Sequence, residues 1–215
     1  MTGLSSQFIS SRNSRSELQR LEISLSAADE GYRLQIESKI NEIGLLFRLC
    51  AVLFRHNWYI LQARIFSPDE HSICDEFLIR PQDEKHVIDN ALMRLMATDL
   101  ESLLFDNVSV LEYLNENHRE DKALLRESNR SHHQEVSIDT SDNRVVIEIR
   151  SQDRSGLLLE ISQAFYLMNI NILEAKIQTK SDGHIHNIFY VDPADQRFAH
   201  QEFQRRLTEE LGLML

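Results

Sequence analysis

Two places in this chain gather residue types that do chemistry. The first is Asp153-Arg154-Ser155-Gly156, a charged turn directly before an apolar helical pattern. The first turn of a helix carries unpartnered backbone N–H groups and the positive end of the helix dipole, which suit a carboxylate. A glycine at that point lets backbone and ligand approach closely. Asp153 is equally suited to closing the turn or capping the helix. The second place is His184-x-His186, which puts two imidazoles on one face of a strand. Two histidines fall short of a zinc ligand set, and no Cys, Asp or Glu in the sequence completes one, so no metal is expected. The chain contains no G-x-G-x-x-G, P-loop or G-x-S-x-G motif, so nucleotide and hydrolase chemistry lack their residues.

The elements around these residues follow from hydrophobic spacing. Val145-Val146-Ile147-Glu148-Ile149 is β-branched and apolar, which predicts a strand. After the turn, Leu157, Leu158, Ile161, Ala164, Phe165 and Met168 mark one face of a helix, ended by Asn169-Ile170-Asn171. Leu173, Ala175 and Ile177 alternate with Glu174, Lys176 and Gln178 in a strand with one buried face. Ser181-Asp182-Gly183 turns the chain into a return strand, Ile185–Val191. Asp195 then caps a helix that ends near Leu211, with Gly212 closing it and Leu213-Met214-Leu215 as a short last strand. The order is β-α-β-β-α-β, the ferredoxin-like arrangement. Glu135–Thr140 adds a strand in front.

The same pattern occurs twice. Shifted by 113 residues, Glu22–Ser38 falls on Glu135–Ser151; shifted by 112, Gly44–Ile65 falls on Gly156–Ile177, with Gly-Leu-Leu on Gly-Leu-Leu. Phe77/Phe189, Pro81/Pro193 and Arg94-Leu95/Arg206-Leu207 continue the register. The expected fold class is therefore α+β: two ferredoxin-like βαββαβ units, each an antiparallel sheet covered by two helices and preceded by an extra strand. Val108–Leu114 is the first unit's expected last strand. The expected layout is a disordered tail over 1–18, a degenerate first unit over 19–114, a linker over 115–133 and a second unit over 134–215.

Composition narrows the partners. The 215 residues carry a net charge of −11, which argues against a large phosphate-binding surface and hence against a nucleic-acid partner. Arg12, Arg15 and Arg20 make the tail basic, but too few apolar residues accompany them to pack. No apolar run is long enough to span a bilayer and no secretory signal is evident, so no membrane partner and a cytoplasmic location are expected. Cys50 and Cys74 belong to no C-x-x-C and read as reduced structural thiols.

Asp153-Arg154-Ser155-Gly156-Leu157-Leu158, the amphipathic helix, Asn169-Ile170-Asn171-Ile172 and the hairpin ending in Phe189-Tyr190-Val191 together resemble an ACT domain. The second copy is most similar to the C-terminal tandem ACT domains of bacterial nitrogen-regulatory-protein uridylyltransferases, which sense glutamine. The resemblance implies a regulatory protein that binds a small amino acid at the loop between first strand and first helix. It places Asp153 against an ammonium group and Gly156, Leu157 and Leu158 at the helix entry. Asn171 is a hydrogen-bonding partner, with Arg154 and Ile172 beside them. Asn41 and Gly44 mark the matching place in the first copy, where Tyr59 replaces Asn171 and packing is expected to outweigh binding. The resemblance also implies pairing of units, a homodimer and an unidentified regulatory protein partner. The uridylyltransferase Gly-Ser motif with paired acids and the His-Asp of the accompanying hydrolase are missing, so no catalytic residue and no cofactor are expected. The alternative is a ligand-independent interaction or dimerisation module.

Overall fold

The computed structural model describes residues 21–39, 41–68, 72–83, 89–106, 108–115 and 135–215, together with the backbone of 7–10. The first repeat contributes β2 (Leu21–Ala28), β3 (Gly31–Ser38), α1 (Leu45–Arg55), β4 (Trp58–Phe66), β5 (Ile73–Pro81), α2 (Asn90–Phe105) and α3 (Val110–Asn115). The second contributes β6 (Glu135–Asp139), β7 (Val145–Gln152), α4 (Leu157–Leu167), β8 (Ile172–Gln178), β9 (His184–Val191) and α5 (Gln201–Met214). A short strand, β1 (Gln7–Ser10), precedes both. The α+β, ferredoxin-type reading of the sequence holds.

Among the described residues the strands form one nine-stranded antiparallel sheet in the order β1-β2-β3-β5-β4-β8-β9-β7-β6. Alternation builds it: Leu21, Ile23 and Leu25 on β2 and Ile147 and Ile149 on β7 are buried, while their neighbours are partly exposed. The buried side chains join the apolar faces of the helices in a single core, with Phe77, Phe165 and Phe189 fully enclosed. Burial of each such aromatic stabilises the fold by about 1.5–3 kcal/mol relative to leaving it exposed. The opposite face is polar and laced with ion pairs, Arg33 to Glu76 and Arg150 to Glu135 and Glu148.

The seam between the repeats is the pairing of β4 with β8. Arg64 lies opposite Lys176, its own counterpart in the repeat, so a pseudo-two-fold axis passes between them. Ala63 faces Ile177 and Ile65 faces Ala175, each position meeting the twin of its neighbour but one. Across the same axis α1 packs on α4. Both of these helices end at an asparagine in the left-handed conformation, Asn57 (φ 55°) and Asn169 (φ 53°), the residue type that enters that region at least cost after glycine.

Two expectations need correction. The last strand expected in each unit is helical. Val108–Leu114 lies mostly in α3, whose start is a capping box: Ser109 Oγ accepts from the Glu112 N–H at 3.1 Å and Glu112 Oε2 accepts from the Ser109 N–H at 3.3 Å. Leu213 and Met214 continue α5 straight through Gly212, because Leu207, Leu211 and Leu215 are buried at four-residue intervals. The leading strand explains both corrections: β6 beside β7, and β2 beside β3, fill the sheet position next to the first strand of each βαβ unit that a terminal strand would take. The tail read as disordered includes β1, paired antiparallel with β2 over four residues. The rest of the tail, the 116–133 part of the expected linker and residue 134 lie outside the described residues.

Candidate functional site: two crossed crevices between the repeats

Each βα loop leaves its strand, makes a left-handed glycine and starts a helix. Gly156 (φ 80°) precedes α4 and Gly44 (φ 89°) precedes α1, and neither helix has a side-chain cap. The Leu45 and Leu157 N–H groups close the loops on the Glu42 and Arg154 carbonyls at 3.1 and 3.2 Å, and the rest of each first turn faces whatever lies in front. What lies in front is the other repeat. The Asp153–Gly156 loop and Leu157–Leu158 face Tyr59 and Ile60 at the start of β4, with Phe54 of α1 above. The Asn41–Gly44 loop faces Asn171 and Ile172 at the start of β8, with Tyr166 of α4 above. The sequence reading joins Asp153 and Asn171 in one constellation; the structure assigns them to different crevices and replaces each partner with its counterpart from the other copy.

In the Asp153 crevice the carboxylate is already occupied. Its Oδ2 accepts from the Tyr59 hydroxyl at 2.5 Å and the Thr179 hydroxyl at 2.6 Å. The Asp153 N–H donates to the Gly183 carbonyl at 2.8 Å, tying the loop to the β8–β9 turn. Burial, then the bond to Asp153, pushes the Tyr59 phenol well above its ordinary range, so it stays a donor. Arg154 lines the crevice with its guanidinium engaged elsewhere. Its guanidinium holds Glu160 on both oxygens, at 2.9 and 2.5 Å, and the Met214 carbonyl at 2.5 Å, which fixes the end of α5. Leu157 and Leu158 are buried. The enclosed space is about 40 Å³, so this closed form has no room for a whole amino acid and an occupant must displace the Tyr59 ring.

The Asn41 crevice repeats this layout with different chemistry. Asn41 stands where Asp153 does and donates to the Ser67 hydroxyl at 3.1 Å; Ser67 is the counterpart of Thr179, 112 residues away. Glu42 and Arg48 repeat the Arg154–Glu160 pair with the charges exchanged, but at 3.8 Å and with the Glu42 side chain more exposed. Its floor holds Asp75 on β5, at 1% exposure. One Asp75 oxygen accepts from the Phe66 N–H at 3.2 Å and the other has no partner among the described residues. The counterpart of Asp75 is Asn187, whose Oδ1 accepts from the Gln178 N–H at 3.3 Å. Desolvation raises Asp75 to about 7, opposed only by the Phe66 bond. On the axis between the crevices, burial pushes the Cys50 thiol up to about 12, which keeps it protonated and inert beside Ser162.

The histidine pair stays on the sheet's polar face, His186 against Glu148 at 3.3 Å and His184 against Asp182 at 3.4 Å. No cluster of three metal-ligating side chains occurs among the described residues. Sequence reasoning missed Tyr59 as a partner of Asp153, Thr179 and Ser67 as loop anchors, and Asp75. The repeat carried the signal for the last three: a hydroxyl recurs at 67 and 179, and an acid or its amide at 75 and 187.

Residues 135–208 match the family described as plant bHLH transcription factor, ACT-like domain. The chain carries an ACT-like domain. That domain type is regulatory, and no catalytic family is indicated. Among solved structures, aspartate kinase from Synechocystis is similar at 14% identity and a TM-score of 0.40, over 84% of this chain and 27% of that one. The chain thus spans about a quarter of that kinase's length. No curated protein matches the chain. Among the described residues no helix is long and apolar enough to cross a membrane.

Proposed function

We propose that this protein is a cytoplasmic regulatory sensor in which a small amino acid binds where the two repeats meet. The observation that carries this reading is the crossed construction of the crevices. A ligand there touches a helix N-terminus of one repeat and a strand start of the other, so its binding energy acts on the seam that joins them. In the Asp153 crevice the ligand's ammonium group takes the place of the Tyr59 hydroxyl on Asp153, and its carboxylate meets the N–H groups at the start of α4 beyond Gly156. Glutamine is the first ligand to try, because the second copy resembles the glutamine-sensing pair. Calorimetric titration of glutamine into the full chain should give saturable heat that Asp153→Ala abolishes. No heat from glutamine or from the other nineteen common amino acids at millimolar concentration overturns the reading.

One observation favours a second reading, a ligand-independent pairing module: Tyr59 and Thr179 already satisfy Asp153 from within the chain. Tyr59→Phe separates the two. If the hydroxyl competes with a ligand ammonium, its removal tightens amino-acid binding. If it is only a pin across the seam, Tyr59→Phe lowers stability by about 1.5–3 kcal/mol, the range for a hydrogen bond to a charged group, and changes no binding heat. A homodimer and a regulatory protein partner fit either reading; light scattering with and without ligand tells a ligand-driven assembly from a permanent one.

A further inference from the structure

Asp75 presents a different opportunity from Asp153. It is a buried acid at 1% exposure, it lines the Asn41 crevice, and one carboxylate oxygen has no hydrogen-bond donor among the described residues. An unpaired buried oxygen of this kind is costly, and more so when charged, so a donor that reaches it is strongly favoured. No lysine, arginine or histidine lines the crevice among the described residues; its charged lining residues are Asp75 and Glu42, and since Glu42 faces Arg48 at 3.8 Å the negative charge at the floor is that of Asp75. The rim adds two amides, Asn41 and Asn171, whose oxygens can accept. The enclosed space is about 30 Å³, enough for one water-sized group. Three features thus select the occupant: negative charge, acceptor oxygens and the volume of a single small head. The equivalent position in the other repeat, Asn187, carries no charge, so the asymmetry belongs to this crevice.

We propose that the Asn41 crevice is a second binding site, specific for a primary ammonium head, with Asp75 as its counter-ion at the floor and Asn41 and Asn171 at the mouth. An –NH₃⁺ group matches it because it is compact and brings three donors. The head can be a free ammonium ion or the end of a primary amine whose remainder lies in the mouth. The inference stands apart from amino-acid binding at Asp153, since it uses the other crevice and needs no carboxylate on the ligand.

The test is thermal unfolding of the full chain at pH 8, where the amines are still protonated, in equal concentrations of ammonium, methylammonium, butylammonium and tetramethylammonium chloride. A head with N–H donors should raise Tm saturably, by about 5–11 °C when it is about 100-fold above its Kd. Tetramethylammonium, bulky and without donors, should not. A response to ammonium alone assigns the site to the free ion; a response to methyl- and butylammonium as well assigns it to a tethered amine. Asp75→Asn keeps the acceptor for the Phe66 N–H and should lose the response. A second readout does not depend on that variant folding: the Asp75 carboxyl ¹³C shift should titrate at lower pH when methylammonium is present. Equal shifts from methylammonium and tetramethylammonium, an undiminished response in Asp75→Asn, or an Asp75 titration indifferent to methylammonium overturns the proposal.

Discussion

Asp75→Asn should remove a large part of the protein's pH-dependent stability between about pH 4 and 7. Asp75 titrates near 7 in the folded chain and at 3.8 when unfolded, because burial disfavours its charged form. Between those values the native state holds a proton that the unfolded state has released, so stability falls as pH rises. The contribution is complete below the unfolded value and fully lost once pH passes about 7. At 1.36 kcal/mol for each unit of pKa difference, the expected loss is roughly 4 kcal/mol. The groups facing Asp75 are Cys50 from α1 and Glu42 from the loop, with Cys74 and Glu76 beside it on β5 and Glu37 on β3. Both thiols are held up by burial, so neither titrates in this window. Asparagine keeps the Phe66 bond, as Asn187 does for Gln178, so the backbone register of β5 on β4 is preserved. Denaturant unfolding of both proteins across this range checks the prediction. The variant should gain relative to wild type as pH rises, then hold a constant difference above pH 8. A pH-independent difference between the two proteins would show that Asp75 is charged at all these pH values.

Much of this fold is written in local pattern. The Val145–Ile149 strand, the apolar face of Leu157–Met168 and the alternation over Leu173–Ile177 each encode one element, and the repeat doubles the signal. The capping box at Ser109–Glu112 was equally legible, but the apolar residues around it read as a strand because six residues are too few to show a period. The last turn of α5 was misjudged through Gly212, which only ends a helix when the chain needs a left-handed residue; with Leu211 and Leu215 both buried on one face, it does not. The site was less legible for a different reason. Asp153, Gly156, Asn41 and Gly44 are identified by spacing along the chain, but which strand faces which loop depends on the antiparallel seam between β4 and β8. Nothing in either copy alone specifies that pairing. Once Arg64 is set opposite Lys176, the exchange of partners follows: Tyr59 reaches Asp153, and Asn171 goes to the crevice of Asn41.

That exchange makes the two loop glycines unequal, and Gly44→Ala should be the more damaging change. Both residues have φ near +80 to +90°, where an alanine costs about 1–2 kcal/mol. Their surroundings differ. At Gly156 a Cβ would rest 3.1 Å from the edge of the Phe54 ring, which a few tenths of an ångström of movement relieves. At Gly44 a Cβ would collide with the body of the Tyr166 ring. That ring is stacked on Phe47 with centroids 5.6 Å apart, so it must leave its rotamer and its stacking partner together. A displaced rotamer adds about 0.5–1.5 kcal/mol and the lost stacking a similar amount. Gly44→Ala should therefore cost about 2–5 kcal/mol, a fall in Tm of roughly 5–15 °C for a chain of this length, against about half that for Gly156→Ala. The double variant Gly44→Ala, Tyr166→Ala separates the causes. Removing the ring should restore the steric part and leave the backbone part, so the two changes should be markedly non-additive. Strict additivity would mean that Tyr166 does not rest on Gly44, and that the α4 side chain above the Asn41 crevice sits elsewhere in solution.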